Sequence, residues 1–363
     1  NKLQPFFETN VFHDNSCGFR PNRDVELAIK KVICRIEYEY FYVYDFDIKG
    51  YFDNIPHKKL MKVLNKYVSD GTILDMIWKW LKAGYMEDNI RYEQTSGTQQ
   101  GGVISPLLAN IYLNELDWEL HKNSLQFVRY ADDSIVMCKS KEELEKAKVI
   151  VHEVLEKLGL ELAEDKTDEI DFHKDDFDFL NFTFKHLKMS KKGKVYYQIA
   201  PSEKSIKKFK SDMKAMIKKS KTYSFEKWKE TLNPVIRGKY NYFLISARAC
   251  HEVRNKLIEL GRRFHGYCFM DYTKLDGYIR HRLRVNFSCR GNKHGGQAQG
   301  KLLTVKYGND FFIKDMGLVN GRYLLNLIFN PTMTIEEFVE MGKHKIHKKR
   351  YSIKKNNFFK YAL

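Results

Sequence analysis

The chain has few features that would tie it to a membrane or to an oxidising compartment. Its 363 residues contain six cysteines, at positions 17, 34, 138, 250, 268 and 289, and no two of them form a Cys-x-x-Cys pair. Scattered thiols in a chain of this length do not predict a disulfide framework, so we expect an intracellular setting. The chain has no run of about 18 apolar residues, so we expect no segment that spans a membrane, and we identify no signal peptide.

The sequence also lacks an internal repeat and a regular zinc-binding pattern. His265, Cys268, Cys289 and His294 are the nearest approach to a zinc set, and their spacing is too irregular to predict one. The chain begins at Asn1 without a methionine. We therefore expect that an N-terminal piece is missing.

Positive charge is abundant, but it is confined to one half of the chain. The formal net charge is +17, and residues 201–363 hold 35 Lys and Arg against 13 Asp and Glu. The first 200 residues are mildly acidic, with 28 basic and 33 acidic side chains. This asymmetry predicts an acidic catalytic part and a basic part that lies along polyphosphate, although a solvated basic surface is the alternative.

The order of predicted elements indicates an α+β protein. An aromatic strand over 40–44 is followed by helices over 57–85 and 103–121, and then by a β-hairpin over 125–137. A helix over 140–159 begins with the capping box Ser140 and Glu143 and stops at Gly159. Short strands near 160–163, 177–184 and 195–199 precede a Lys-rich, mainly helical region. This order favours an antiparallel sheet with helices packed on one face.

Acidic residues stand at two strand ends. Asp47 follows the aromatic strand, and Asp132 and Asp133 lie at the tip of the hairpin. If these strands are neighbours, the carboxylates converge and repel one another until a divalent cation relieves the repulsion. Two Mg²⁺ ions held in this way would suit nucleotidyl transfer. An Asp-Asp pair alone is more often simple turn chemistry.

Seven segments in a fixed order resemble the motifs of reverse transcriptases. They are residues 16–21 (SCGFRP), 47–55, 100–110, 127–133 (FVRYADD), 159–167, 179–182 and 237–243. The set is most similar to the reverse transcriptases of bacterial group II introns and their relatives. Gln99, Asp165 and Asn181 depart from the usual pattern, and none of them belongs to the acidic triad.

The resemblance implies a right-hand polymerase fold in a bacterial cytoplasmic protein. Residues 1–200 would form the fingers and a palm with an antiparallel ferredoxin-like sheet, with the N-terminal part of the fingers absent. Residues 201–290 would form a helical thumb or maturase-like RNA-binding domain. Residues 291–363 would form a divergent basic C-terminal region. The implied partners are structured RNA, an RNA/DNA duplex and deoxynucleoside triphosphates.

The resemblance also implies roles for individual residues. The metal ligands would be Asp47, Asp132, Asp133 and the Ile48 carbonyl, holding two Mg²⁺ ions for which Mn²⁺ can substitute; Lys166 would donate a proton to the leaving pyrophosphate or neutralise its charge. The nucleotide-binding residues would be Phe52, Gln100, Gly101 and Gly102, and the primer or template residues Tyr130, Leu180 and Arg20. The RNA-binding residues would be Lys207, Lys208, Lys218, Arg237, Arg280, Arg282 and Arg284. Each of three residues also has a purely structural alternative. Phe52 would be part of the core, Lys166 would be a solvated surface lysine, and Arg20 would form a structural salt bridge.

Three functions remain open at this point. The first is RNA-templated DNA synthesis, in group II intron splicing and retromobility or in antiphage defence with a dedicated non-coding RNA. The second is an RNA-binding splicing maturase with a vestigial polymerase site. The third is an RNA-dependent RNA polymerase, against which Phe52 argues because its ring would clash with a 2′-hydroxyl.

Overall fold

A computed structural model gives the fold of most of the chain. It describes residues 3–87, 90–92, 96–98, 101–190, 193–219, 223–268, 270, 272–288 and 308–348. Within these ranges, none of the helices combines the length and apolar character that crossing a bilayer requires.

The elements follow one another in this order. The first are α1 (Gln4–Asn10), α2 (Val25–Glu37), β1 (Tyr42–Phe46), α3 (Tyr51–Asn54), α4 (His57–Leu64), α5 (Gly71–Lys82), β2 (Tyr85–Glu87) and β3 (Ile90–Tyr92). Next come α6 (Ser105–Lys122), β4 (Gln126–Tyr130), β5 (Asp133–Cys138), α7 (Lys141–Leu158), a 3-10 turn (Glu164–Lys166), β6 (Asp168–Asp171), β7 (Phe177–Phe179), β8 (Phe182–Met189) and β9 (Val195–Pro201). The last are α8 (Glu203–Lys219), α9 (Phe225–Phe243), α10 (Ile245–Glu259), β10 (Gly266–Cys268), α11 (Tyr272–Ser288), a π-helical turn (Phe311–Asp315), α12 (Gly321–Phe329) and α13 (Ile335–Lys348).

The central sheet has the strand order β4-β5-β1-β6, and each neighbouring pair is antiparallel. One face of β1 carries Tyr44 and Phe46, which are 2% and 1% exposed and belong to a large apolar core with α6 and α7. Alternate residues point to opposite faces of a strand, so Asp45 and Asp47 share the other face. A second sheet has the order β10-β9-β8-β7. The predicted α+β class is confirmed.

Helix α7 shows how local sequence fixes an element next to this sheet. The Ser140 hydroxyl accepts a hydrogen bond from the Glu143 N–H, and the Glu143 carboxylate accepts one from the Lys139 N–H. Gly159 ends the helix with a φ of 71°, a left-handed conformation that glycine adopts without strain. The six buried residues of the helix are Leu144, Ala147, Val151, Val154, Leu155 and Leu158. Their spacing matches the apolar stripe predicted from the sequence.

Two predicted elements differ from those in the structure. The helix predicted over 57–85 is broken into α4 and α5, because the Asp70 carboxylate caps a new helix by accepting hydrogen bonds from Thr72 and Ile73. The strand predicted near 160–163 is wrong. That segment makes only an isolated bridge between Leu162 and Ile48, and the strand that pairs with β1 is β6.

The chain divides into two compact units. Unit one contains residues 1–180, 184–197 and 252–266, and unit two contains residues 181–183, 198–251 and 267–363. The core of unit two is helical, with Trp228, Leu232, Ile236 and Tyr240 of α9 fully buried. The identity of these units as fingers with palm and as thumb stays a prediction.

Candidate active site

The ends of β1 and β5 bring the three predicted aspartates together in unit one. Phe46 pairs with Ser134 in the antiparallel register of these strands. Asp47 follows Phe46 at the end of β1, and Asp133 precedes Ser134 at the start of β5, so the two residues stand at the same end of this strand pair. Asp132 is the next residue toward the hairpin tip, where Tyr130 pairs with Asp133.

The hairpin tip is held in an uncommon backbone conformation by a buried arginine. Ala131 has a φ of 61°, in the left-handed region that non-glycine residues seldom occupy. Arg129, whose side chain is 1% exposed, donates from Nη1 to the Ala131 carbonyl oxygen at 2.9 Å. Its Nε and Nη2 atoms bind the two carboxylate oxygens of Asp117, at 2.8 and 2.5 Å. This bidentate pair holds the guanidinium group in one position, and the guanidinium group holds the backbone at Ala131.

Residues 15–18 support the same turn from the other side of its backbone. The Arg129 N–H donates to the Asn15 carbonyl at 3.0 Å, and the Cys17 N–H donates to the Arg129 carbonyl at 2.8 Å. A Cβ atom on Gly18 would come within 2.3 Å of the Ala131 nitrogen, so only glycine fits here. Asn110 bridges the two parts, donating to the Gly18 carbonyl at 2.8 Å and accepting from Arg129 at 2.9 Å.

Negative charge accumulates at this end of the sheet. Burial, followed by the neighbouring charges of Asp132 and Asp47, raises the pKa of Asp133 to about 6. The pKa of Asp132 is raised by burial and by Asp47. Burial and the charges of Asp133 and Asp168 raise the pKa of Asp45 to about 8. Burial is the largest cause of each shift, and repulsion between the neighbouring carboxylates adds to it.

Lys166 supplies the positive charge nearest to Asp47. Its Nζ atom donates to Asp47 Oδ2 at 2.7 Å, and this hydrogen bond raises the pKa of the lysine. The 3-10 turn that carries Lys166 is attached to the end of β1 by a hydrogen bond from the Ala163 N–H to the Asp47 carbonyl. The bridge between Ile48 and Leu162 uses the Asp47 carbonyl and the Lys49 N–H, so its two hydrogen bonds do not consume the Ile48 carbonyl.

A comparison with known families decides the assignment. The family described as reverse transcriptase (RNA-dependent DNA polymerase) matches residues 1–184, which is half of the chain and includes all three aspartates. The chain belongs to the reverse transcriptase family. The right-hand polymerase fold predicted from the motifs is confirmed with it.

Individual relatives refine this assignment. Protein YkfC of Escherichia coli is 34% identical over 217 residues, which cover 49% of this chain and 56% of YkfC. The group II intron-encoded protein LtrA of Lactococcus lactis is 43% identical over 134 residues, which cover 37% of this chain and 22% of LtrA. The match therefore spans little more than half of YkfC and about a fifth of LtrA. The predicted resemblance to group II intron reverse transcriptases is confirmed.

Solved telomerase structures also align with this chain. The telomerase from Candida albicans, in complex with a fragment of telomeric RNA, aligns over 88% of this chain and 57% of its own, with a TM-score of 0.44 and 15% identity. Likeness at this level carries no argument about function.

The residues predicted to contact nucleotide and primer have varied surroundings in this reverse transcriptase. Phe52 lies on α3, half-buried, with its ring centroid 5.5 Å from that of Tyr51. Gly101 is exposed, has a φ of 84°, and has no other atom within 4 Å of the place of a Cβ. Gly102 and Tyr130 are half-buried. Gln100 lies outside the described residues.

The turn at Leu180 and Asn181 touches the catalytic hairpin. Both residues have a positive φ, 50° and 64°, as in the two-residue turns that connect antiparallel strands such as β7 and β8. The backbone N–H of Leu180 donates to the Asp133 carboxylate, which opposes the rise in the pKa of that carboxyl. Asparagine tolerates the left-handed conformation, which accounts for Asn181 where the family usually has glycine.

Two arginines predicted to bind nucleic acid have internal roles. Arg20 is 5% exposed, pairs with Glu8 at 2.9 Å, and donates to the His13 and Ser16 carbonyls. Arg280 is 9% exposed; burial lowers its pKa, and the negative charge of Asp276 opposes this shift. The contacts of Arg20 favour the structural alternative for it, and the burial of Arg280 does not support an RNA contact by that residue.

The remaining predicted RNA-binding residues lie on the helices of unit two. Lys207, Lys208 and Lys218 are exposed on α8, and Arg237 is exposed on α9. On α11 the guanidinium groups of Arg282 and Arg284 lie over the rings of Tyr278 and Phe312, at 5.3 and 5.1 Å. Stacking leaves these two arginines half-buried.

Sequence reasoning missed the buried polar residues of α6, of which Asn110 and Asp117 bind Arg129 and through it support the turn at Ala131. Asn110, Asn114 and Asp117 are 2%, 1% and 0% exposed on helix α6, among its buried apolar residues. Their spacing of four and three residues puts them on one face of the helix. A polar stripe within an apolar helix was the available signal, since buried polar groups require partners.

Proposed function

We propose that this chain is an RNA-directed DNA polymerase that copies a structured RNA template by two-metal nucleotidyl transfer. The observation that carries the proposal is the meeting of Asp47, Asp132 and Asp133 at the ends of adjacent strands. Family membership supports the same chemistry. The roles of the individual residues rest on the motif resemblance and on the contacts described above.

The three carboxylates and the Ile48 carbonyl would hold two Mg²⁺ ions, with Mn²⁺ as a substitute. Oxygen ligands suit these hard cations. In the described part of the chain, no three His, Cys, Asp or Glu side chains converge as a ready metal cage. A Mg²⁺ ion bound here would therefore take its remaining ligands from water and substrate phosphates. When bound, such ions activate an attacking hydroxyl and stabilise a leaving phosphate oxygen.

The donor set itself fits a cation. Burial raises the pKa of both Asp132 and Asp133, the charge of Asp47 adds to both shifts, and the charge of Asp132 adds to that of Asp133. The ammonium group of Lys166 already sits on Asp47 at 2.7 Å, as a stand-in for positive charge. Released from Asp47, the exposed Lys166 side chain would protonate the leaving pyrophosphate.

Other residues would position the substrates. Phe52 would lie under the sugar of the incoming deoxynucleoside triphosphate and exclude a 2′-hydroxyl. Gly101 and Gly102 would let the backbone approach the nucleotide closely. Tyr130 and the Leu180 turn would hold the primer end. Gln100 would complete the nucleotide site.

The basic helices of unit two would bind RNA or an RNA/DNA duplex. Lys207 and Lys218 are eleven residues apart on α8, which places them on one side of the helix about 16 Å apart. Exposed lysines in this arrangement can neutralise successive phosphates and release their counterions. Arg237, Arg282 and Arg284 would add further contacts.

The setting within this proposal is the bacterial cytoplasm. All five cysteines in the described part of the chain are free thiols, which suits a reducing compartment. The cognate RNA would be a group II intron or a compact non-coding RNA used in antiphage defence. The identity shared with LtrA supports the intron, and sequencing the RNA that copurifies with the protein distinguishes the two.

Primer extension on an RNA template tests the proposal. We expect Mg²⁺-dependent DNA products from the unsubstituted protein and their loss in Asp132→Asn. Asp75→Asn serves as the control, because Asp75 is exposed on α5 and pairs only with Lys79 in the contacts seen. A protein that binds RNA but gives no product under any divalent ion would contradict the proposal and favour a splicing role. Products made equally well from ribonucleotides would favour an RNA polymerase.

A further inference from the structure

A second aromatic ring lies beside Phe52. The ring centroids of Phe19 and Phe52 are 6.2 Å apart, and the ring planes meet at 84°. This edge-to-face arrangement is one of the two that aromatic pairs favour. Phe19 is 52% exposed, which is unusual for so large an apolar side chain. The pair therefore consists of a half-buried Phe52 and a neighbour that stands largely in solvent.

The backbone holds Phe19 in place at a conformational cost. Its φ is 56°, in the left-handed region where a bulky residue is a genuine outlier. Such strain persists only where the surroundings over-determine the conformation, and it is concentrated at functional sites.

The neighbours of Phe19 supply that restraint. Gly18 lies against the backbone of Ala131, and its carbonyl accepts a hydrogen bond from Asn110 at 2.8 Å. Arg20, on the other side, is buried and tied to Glu8 and to the His13 carbonyl. The segment that braces the catalytic turn thus also fixes where the Phe19 ring stands.

Phe52 is held from its own side by Tyr51. The two rings are 5.5 Å apart, and the buried Tyr51 hydroxyl donates to the Ala109 carbonyl at 2.6 Å. The Phe52 backbone carbonyl accepts a hydrogen bond from the Thr98 N–H at 2.7 Å. The contact with Phe19 adds a restraint on the ring itself.

We infer that Phe19 is a positioning residue for sugar selection, which holds the edge of the Phe52 ring where it meets the nucleotide sugar. The inference rests on the proposed function and deepens it. Without the Phe19 ring, Phe52 gains freedom to turn aside, so a ribonucleotide is accepted more readily while catalysis with deoxynucleotides is largely kept.

The test is the ratio of kcat/KM for a deoxynucleoside triphosphate to that for the matching ribonucleoside triphosphate. We expect Phe19→Leu to lower this ratio about three- to tenfold, the range that the loss of an aromatic pair produces. Phe19→Tyr keeps the ring and should keep the ratio. Phe19→Gly suits the positive φ, so it removes the ring without adding backbone strain and should lower the ratio as well.

A double variant separates positioning from an independent contact. Phe52→Ala should lower the ratio further than Phe19→Leu does, and adding Phe19→Leu to Phe52→Ala should change nothing more. Phe6→Leu is the matched control, because Phe6 is 43% exposed and makes an edge-to-face pair with Phe7 at 5.4 Å. Its ratio should equal that of the unsubstituted protein.

The outcomes that overturn the inference differ from those that overturn the function. A ratio that falls in Phe52→Ala but not in Phe19→Leu or Phe19→Gly refutes the role of Phe19 and leaves the polymerase standing. Additive effects in the double variant also refute it. Failure of the unsubstituted protein to extend a primer refutes the proposed function itself.

Discussion

Lys166 and Asp47 form an ion pair at the proposed active site. In the ion pair the lysine ammonium holds one carboxylate oxygen that a divalent cation would need. The same lysine is 64% exposed, so little besides Asp47 restrains it. Metal binding and release of the lysine are therefore coupled in the proposed mechanism.

We predict that Lys166→Leu lowers kcat for primer extension by about 10²-fold, the lower end of what a general acid contributes. The variant should also bind Mn²⁺ at least as tightly as the unsubstituted protein, because the competing ammonium is gone. Mn²⁺ binding can be followed by electron paramagnetic resonance without substrate.

Lys49→Leu is the control for this prediction. Lys49 is exposed to a similar extent and pairs with Glu161 at 3.4 Å near the same strand end. Its removal should leave kcat within about twofold, as expected for a surface ion pair. Equal losses in both variants would contradict a specific role for Lys166.

Helix α6 contributes both to the apolar core of unit one and to the support of the turn at Ala131. Its apolar residues belong to the core of unit one, and its buried polar residues hold the catalytic turn through Arg129. The side chains of Arg129 and Asp117 are each 1% exposed, so neither charge has access to water. Removing one partner from such a pair leaves an uncompensated buried charge.

We predict that Asp117→Asn destabilises the protein by about 3 kcal/mol, at the lower end of the range for broken buried ion pairs. Primer extension should fall with it even at temperatures where the variant remains folded, because the Ala131 turn loses its fixed support. Urea unfolding followed by circular dichroism measures the first effect, and kcat below the melting transition measures the second.

Glu115→Gln provides the comparison on the same helix. Glu115 pairs with Lys66 at a partly exposed site, where such a pair contributes less than about 1 kcal/mol. If both variants lost the same stability and activity, the buried network would not be what positions the turn.

The sequence predicted elements well where local chemistry determines them. Helix α7 was predictable because Ser140, Glu143 and Gly159 mark its ends within a few residues. The hairpin of β4 and β5 was predictable from two strand-like runs around Ala131 and Asp132. The break before α5 was missed, although Asp70 is a standard capping residue, since the apolar spacing continues across it.

Properties that depend on distant residues were beyond sequence reasoning. Arg20 is buried against Glu8, and Arg280 is also buried, and the sequence around neither arginine marks this burial. Asp117 contacts Arg129 because α6 packs against β4. The motif resemblance identified the three aspartates, but it did not predict the hydrogen bonds through which Asp117 and Arg129 support the turn beside them.

The separation of charge along the chain has a physical consequence for RNA binding. Basic residues are concentrated after residue 200, where unit two presents exposed lysines on α8. The acidic catalytic site lies in unit one, where polyphosphate would be repelled in the absence of cations. Affinity for RNA should therefore be supplied mainly by unit two and should fall as salt competes with its lysines.

We predict that replacing Lys207, Lys208 and Lys218 with Gln reduces the slope of log K against log salt concentration by about 2 to 3, since each phosphate contact contributes about 0.7 to 0.9. Fluorescence anisotropy with a labelled structured RNA gives the slope. The control replaces Lys141, Lys146 and Lys157 of α7, which are exposed on unit one and remove the same charge. Equal slopes in the two triple variants would mean that overall charge, and not the α8 surface, attracts the RNA. A reduction confined to the α8 variant would instead locate the phosphate contacts on that helix.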